Sequence, residues 1–378
     1  MIKAVLLDLD NTLLRNPDHE FAKAFLDLFE QHFRNANYDA PSQKLHSAIQ
    51  AMGHEQTGQY TNQQVLIHQL GGTSSETIAL IDQFYAEVFP QLQSCIGSMN
   101  GASDLIYRLR EMDLAVVIAT NPIYPHRAIE ARMRWANLPL DEDLYALVTS
   151  ADNMHFAKPD PAYYAEILAR VGVEPDEAIM VGDSLRNDIQ PASQVGLHTC
   201  HIRETNLAHF SDNMADYFEQ TIPLQLQAAM IEPQLRGNIG ALFALLDLVE
   251  AHYWHQRPDP NEWSIIQILC HLLTFEDQNE RLRLQTILQE DNPFITQPPE
   301  PGPDIEACET NGFAVAQAFM ATRQQTIDLI DTFSADDWQR RARHSIFGLT
   351  TMLEMAYFTA QHDRLHLTQL CQTIGRCD

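Results

Sequence analysis

The sequence predicts two fold classes in one chain: an α/β half with a parallel sheet and a helical insertion over residues 1–222, then an all-α four-helix bundle over residues 234–378. Three observations carry the prediction. Short, β-branched apolar runs alternate with helix-period stretches as far as about residue 202, as expected for strands buried on both faces with helices between them. Residues 16–95 interrupt that alternation and offer helices only. Beyond residue 233, long helix-period stretches follow one another without a strand, which is how a bundle reads.

The first strand is IKAVLLDL, residues 2–9. The insertion reads as four or five helices, with Phe21, Phe25, Leu28 and Phe29 on one face of the first. Its His19, His46, His54 and His68 carry no spacing signal and read as surface or packing residues. Further strands are predicted at 114–120, 145–149, 178–182 and 197–202, with helices at about 101–112, 125–137, 160–171 and 188–195. From 203 to 233 the pattern fades into a linker bracketed by Pro223 and Pro233. The bundle helices are predicted at about 234–256, 262–290, 306–332 and 347–374, broken at Arg257–Pro260, in the Pro-rich stretch 293–303 and around Ser334–Ser345. Ser334 followed by Asp337 reads as a capping box that starts a short turn.

The chain has 378 residues, 45% of them hydrophobic and 20% charged, enough apolar content for large cores and too much for wholesale disorder. Asp plus Glu number 51 against 24 Lys plus Arg, a formal charge of -27. A surface this acidic repels phosphate backbones and anionic lipid, so neither nucleic acid nor membrane is expected as a partner. A small anion in a pocket with its own cations stays possible. No apolar run reaches the ~18 residues that span a bilayer, and the apolar start of MIKAVLLDLD is too short for a secretory signal. The six cysteines (Cys95, Cys200, Cys270, Cys308, Cys371 and Cys377) are scattered and form no CxxC. They read as reduced thiols of a cytoplasmic protein.

The first strand ends in Asp8-Leu9-Asp10-Asn11-Thr12. Two carboxylates at i and i+2 emerge at its carboxyl end, the edge where open α/β sheets place their sites; on its own the pattern also suits a polar turn. Three more segments fall after strands or at helix starts: Thr120-Asn121, Lys158 in FAKPDP, and Asp183 with Asp188 in GDSLRNDI. A carboxylate can attack phosphorus, and a second can move the leaving group's proton. A hydroxyl, an amide and a Lys can hold phosphoryl oxygens, and carboxylates can hold a Mg²⁺ ion that offsets the charge.

The order DLDNT, ATN, KP, GDSLRND resembles the haloacid dehalogenase-like (HAD) hydrolases, over residues 1 to about 205. The resemblance implies a Rossmann-like core (1–15 and 96–222) with a helical cap of the first subtype (about 16–95). It makes Asp8 the nucleophile and Asp10 the general acid/base, with Thr120 and the Asn121 amide binding phosphate and Lys158 steadying the transferring group. Mg²⁺ would be held by Asp8, the Asp10 carbonyl and Asp183, with Asp188 supporting from outside. A carboxylate at position 10 favours phosphatase over dehalogenase chemistry. The implied substrate is a small phosphorylated metabolite.

In the bundle, His362 and His366 lie four apart in QHDRLHLTQL, one turn apart on a face with Met355, Phe358, Leu365 and Gln369. His271 shares a stripe with Ile268, Leu272 and Phe275. Both stripes are predicted to face inward. Spacing leaves two readings, hydrogen-bonded core histidines or a three-His metal site. Cys270 and Cys371 fall off the ligand line. The segment from Trp263 to His271, and HDRLH followed by Gln369, resemble the DinB-like, thiol-transferase-related bundles from about 235 to 378. That resemblance implies His271, His362 and His366 as ligands of a divalent transition metal, with Zn²⁺, Ni²⁺ and Fe²⁺ all open.

The leading expectation is therefore a Mg²⁺-dependent phosphatase joined to a metal-binding bundle. Three alternatives stand beside it: a phosphomutase of the same superfamily, a thiol-dependent transferase centred on the bundle, and a bundle that serves only as an interaction or homodimer module.

Overall fold

The first apolar run forms the central strand of a five-stranded parallel sheet in the computed structural model of the chain. The structure describes residues 1–376 apart from 17–19, 55–56, 73, 203–206, 220–223, 300 and 303–305. His19, Pro223 and Cys377 lie outside the described residues. The contacts separate two units, Met1–Leu224 and Gln225–Asp378.

In the first unit, β1 is Ala4–Leu7 and β2 is Leu14–Arg15. The insertion follows as α1 (Glu20–Asn35), α2 (Pro41–Met52), α3 (Asn62–Gln69) and α4 (Ser75–Gln83), and it ends in a wide turn and a 3₁₀ segment up to Cys95. Next come β3 (Gly97–Ser98), α5 (Ala102–Glu111), β4 (Ala115–Ile118), α6 (His126–Trp135), β5 (Leu147–Val148) and α7 (Pro161–Val171). The unit closes with β6 (Ala178–Gly182), α8 (Gln190–Gln194), β7 (His198–His201), α9 (Leu207–Asp212) and α10 (Met214–Glu219). The sheet order is β5-β4-β1-β6-β7.

Alternation across the strands builds two cores. Val5, Leu7, Val116, Ile118, Ile179 and Val181 face one side, and Ala4, Leu6, Val117, Ala178 and Met180 face the other. The insertion has its own core, in which Phe21, Phe25, Phe29 and Phe33 of α1 pack on Phe84 and Phe89. Burying each of these rings is worth about 1.5–3 kcal/mol, so this face of α1 holds the insertion together. Leu28, expected on that face, is half-buried, and Phe33 completes it.

Two features depart from expectation. The short antiparallel pair β2–β3 closes the insertion at its neck, Leu14 opposite Ser98; a two-residue strand is too brief to read as periodicity. The region after 203, read as a linker, carries α9 and α10, which bury Leu207, Phe210 and Met214 against the sheet's first core.

The second unit has α11 (Ile231–Leu246), α12 (Ile265–Phe275) running through a wide turn into α13 (Arg281–Gln289), β8 (Phe294–Ile295), α14 (Gly312–Ile330), α15 (Ala335–Trp338), β9 (Arg341–His344), β10 (Gly348–Thr351) and α16 (Met352–Ile374). The Ser334–Asp337 capping box starts α15. The first bundle helix ends at Leu246 rather than near residue 256. Trp254, beyond that end, lies against α14 so closely that a Cβ on Gly312 would stand 2.0 Å from its ring.

This unit also contains a small sheet, β10-β9-β8, where only helices were expected. The β9–β10 hairpin pairs His344 with Gly348 across three residues. Gly348 has φ 74, the left-handed turn position that glycine takes without steric cost. Its strands hide in the sequence because only Ala342 and His344 of β9 are buried, in a run that is otherwise Arg and polar.

The cysteines need a correction as well. Cys270 and Cys308 form a disulfide, Cα–Cα 5.6 Å across 38 residues. The chain after β8 returns to α12 just before α14, a proximity that spacing does not reveal. Cys95, Cys200 and Cys371 are free thiols, so the reduced-thiol argument for a cytoplasmic location loses two of its six residues. Among the described residues, no helix is long and apolar enough to cross a membrane.

Candidate active site and candidate metal centre

The register of the sheet assembles the first site. Leu7 lies opposite Ile118 on one side and Val181 on the other. The residues just beyond, Asp8, Thr120 and Asp183, therefore leave the sheet at one edge. Asp8 N–H donates to the Val181 carbonyl at 3.0 Å, and Ala119 N–H donates to Leu7 at 2.7 Å. Asn11 takes a positive φ of 55, a conformation that Asn tolerates better than most residues, in the turn that follows.

Carboxylate oxygens of Asp8, Asp183 and Asp188 lie within 4.8 Å of one another. Lys158 donates to Asp8 Oδ1 at 2.8 Å and to Asp188 Oδ1 at 2.5 Å. Lys158 sits just ahead of α7, whose start is fixed by Asp160 accepting from Ala162 N–H at 2.9 Å. Asp188 is turned back to the site by a wide turn over Leu185–Ile189, and its Oδ2 accepts from Ser184 N–H at 3.0 Å. It lies over Gly182, where a Cβ would stand 2.4 Å from Asp188 Oδ2. Glycine at 182 is what lets this carboxylate reach the cluster.

Burial pushes the Asp8 carboxyl up to about 8, against the pull of Lys158. Burial also opposes the charge on Lys158, yet Asp8, Tyr164 and Asp188 hold its pKa well above the ordinary value. Thr120 is buried, and its carbonyl accepts from Thr149 Oγ1 and Tyr163 Oη, both at 2.8 Å. Asn121 Oδ1 is buried without a hydrogen-bond partner.

Asp10 stands apart from the three clustered carboxylates. Its Oδ1 accepts from Asn16 Nδ2 at 2.7 Å and pairs with Arg132. Arg132, absent from the sequence reading, is 1% exposed. Its guanidinium lies 5.1 Å from the Phe21 ring and 5.5 Å from Tyr124. Burial disfavours its charge, but Asp10 keeps the pKa above the usual arginine value. A signal existed: Arg132 falls in the buried stripe Ala128, Ile129, Met133 of α6, where an Arg must have a partner. His46, His54 and His68 of the insertion are exposed.

The second constellation lies in the other unit. Ring nitrogens of His271, His362 and His366 fall within 4.8 Å of one another, with His362 Nε2 to His366 Nε2 at 3.2 Å. His366 Nδ1 contacts Gln369 Oε1 at 2.9 Å, and Phe275 stacks on His362 at 4.3 Å. Burial, then His366, pushes His271 down to about 4. Burial, then His366 and His271, pushes His362 down to about 2. Both imidazoles are thus neutral, the form that ligates metal. The histidines line a cleft of about 830 Å³.

The expected inward face of α16 needs correction: Leu365 is 66% exposed. The buried stripe runs Met355, Thr359, Asp363, His366, Leu370, so the histidine face sits at the boundary of core and cleft. Behind it lies a charge network that sequence reading missed. Arg323, 1% exposed, donates to Asp363 Oδ1 at 3.0 Å and Glu276 Oε2 at 2.8 Å. Asn238 Nδ2 donates to Asp363 Oδ2 at 3.1 Å. Burial raises Glu280 to about 7, opposed by Arg283 and Thr359.

Comparison with known proteins agrees with this division. Residues 2–196 match the family model of haloacid dehalogenase-like hydrolases, and residues 234–370 match the DinB superfamily model. The chain is 26% identical over 219 residues to a glyceraldehyde 3-phosphate phosphatase of Methanopyrus kandleri, covering 54% of this chain and 84% of the relative. It is 28% identical over 202 residues to a phosphoglycolate phosphatase of Rhodospirillum rubrum, covering 52% and 78%. Among solved structures, a HAD phosphatase from Thermococcus onnurineus aligns at 22% identity and a TM-score of 0.35, over 53% of this chain and 86% of that one.

Proposed function

Because the chain belongs to the haloacid dehalogenase-like hydrolases, we propose that its first unit is a Mg²⁺-dependent phosphatase that hydrolyses a small phosphate monoester through an aspartyl-phosphate on Asp8. One observation carries the reading: Asp8, Asp183 and Asp188 converge within 4.8 Å, with Lys158 bonded to two of them. The relatives that act on glyceraldehyde 3-phosphate and phosphoglycolate support a small substrate.

Asp8 attacks phosphorus as the ester bond breaks, and Asp10 gives its proton to the departing alkoxide. Asp10 then takes a proton from water, which attacks the same phosphorus and frees Asp8. Thr120 and the Asn121 amide hold phosphoryl oxygens, and Lys158 neutralises charge that builds on Asp8 and the phosphoryl group. Arg132 and Asn16 are placed to hold Asp10 as a carboxylate in the interval between these two proton transfers, while Asp8 carries the phosphoryl group. The helical insertion covers the edge and excludes water. Three hard carboxylate oxygens suit Mg²⁺, held by Asp8, Asp183 and the Asp10 carbonyl with Asp188 in support, which would supply positive charge for two anions to meet.

Hydrolysis of p-nitrophenyl phosphate by the full chain is expected to fall at least about 100-fold on chelation and to return with Mg²⁺. Undiminished hydrolysis in excess chelator would contradict the reading.

For the second unit, three imidazoles that line one cleft with their ring nitrogens within 4.8 Å favour a divalent transition metal on His271, His362 and His366. Elemental analysis of the full chain is expected to find close to one such ion per chain, and His366→Ala to lose it. Failure to retain Zn²⁺, Ni²⁺ or Fe²⁺ after reconstitution would remove the site.

A further inference from the structure

We infer that the cleft over the histidine cluster binds an uncharged, largely apolar small molecule, a ligand chemically unlike the phosphate ester of the first unit. The inference deepens the reading of the second unit: it takes the histidines as part of a site, without depending on which metal they hold.

Size is the first support. At about 830 Å³ the cleft falls in the range of small-molecule sites. The aromatic side chains of Trp263, Phe275, Phe347 and Phe358 form part of its walls. Three large apolar side chains that line it, Ile346, Phe347 and Leu365, are exposed by 67%, 47% and 66%. An apolar cluster left open to water around a concavity marks a place where something apolar docks.

Charge is the second support. Among the described residues that line it there is no Lys or Arg, and Glu262 is the one carboxylate. Glu262 is already paired with Arg376, whose Nη1 stands 3.0 Å from its Oε1. The Arg283 guanidinium lies against the Phe275 ring at 5.1 Å. It is committed to Glu280 Oε1 at 3.1 Å and Gln297 Oε1 at 2.8 Å. Apart from a bound metal, then, no described residue of the walls brings a positive charge to compensate an anion for the water it would lose. Asn279, Gln297 and Gln369 supply neutral hydrogen-bonding groups instead.

The cleft is also built in advance. Its Pro-rich wall is tied down where Trp263 Nε1 donates to the Gly302 carbonyl at 3.1 Å and where Gln297 N–H donates to Ser345 Oγ at 2.8 Å. The Cys270–Cys308 disulfide anchors the chain beyond that wall to α12, beside His271. A site held this way loses little order on binding.

The test is calorimetric titration of the full chain, both metal-stripped and Zn²⁺-loaded, with 2-naphthol and naphthalene-2-sulfonate, which share a ring and differ in charge. In the metal-stripped chain the naphthol is expected to bind at least about tenfold more tightly, a margin that bound Zn²⁺ narrows by attracting the sulfonate. Leu365→Lys changes an exposed residue, so folding is not at risk; it is expected to weaken the naphthol and strengthen the sulfonate. Equal or tighter sulfonate binding by the unaltered, metal-stripped chain would overturn the inference. So would naphthol binding that Leu365→Lys leaves unchanged, or no binding of either probe below about 1 mM. Elemental analysis reads the histidines separately. A chain that holds metal when loaded but prefers the sulfonate when stripped overturns the ligand class alone; a chain that holds no metal and prefers the naphthol overturns the metal assignment alone.

Discussion

Asp8→Asn is expected to lower hydrolysis of an aryl phosphate by at least about 1,000-fold while leaving the fold intact. The amide keeps the shape of the side chain and still accepts from Lys158 at the position where Asp8 Oδ1 stands 2.8 Å away. It cannot form an acyl phosphate. Folding should not suffer, because burial already works against the Asp8 charge, pushing its carboxyl up to about 8. Steady-state rates and a thermal melt on the same preparation check both halves of the expectation. A variant with normal turnover would remove Asp8 as nucleophile.

Arg323→Met in the second unit is expected to be the most destabilising single change outside the apolar cores. The guanidinium is 1% exposed and serves two carboxylates, Asp363 and Glu276, which are themselves buried. Methionine fills much of the space but leaves two unpaired charges, a situation that costs about 3–5 kcal/mol. Asp363→Asn with Glu276→Gln on the Arg323→Met background should recover part of that loss, since the orphaned charges are then gone. Urea unfolding followed by tryptophan fluorescence measures this, because Trp254, Trp263 and Trp338 all lie in this unit. A loss under about 1 kcal/mol would mean that the network adds little to stability.

Legibility in the sequence followed burial. Strands β1, β4 and β6 were readable because a parallel sheet buries both faces, so their apolar runs are continuous. Once those strands were placed, so was the edge where Asp8, Thr120 and Asp183 emerge, because parallel register aligns strand ends. The β9–β10 hairpin was illegible for the opposite reason: its strands bury few residues and its sequence is rich in Arg. The Cys270–Cys308 pairing depends on a chain reversal over 38 residues, which spacing cannot encode.

Arg132 and Arg323 were missed for a shared reason. Each lies in an apolar helical stripe. Both are 1% exposed and bonded to acids brought by other elements. A cation within an apolar stripe is thus a sequence signal for a buried pair, and here it points to the partner of Asp10 and to the network behind the histidines. The α16 face was misassigned by about one position. Leu365 made the histidine stripe look inward, whereas the cleft leaves that side open.

The central claim is that the phosphoryl group passes through Asp8. Asp10→Asn should slow the second half of the reaction, and an aryl phosphate with a good leaving group needs no proton in the first half. Radiolabelled aryl phosphate added to this variant, followed by acid quench and peptide mapping, is the direct measurement. The predicted result is hydroxylamine-labile label on the peptide that carries Asp8, and none when Asp8→Asn is added. Turnover without protein-bound label, or label on any other residue, would contradict the account.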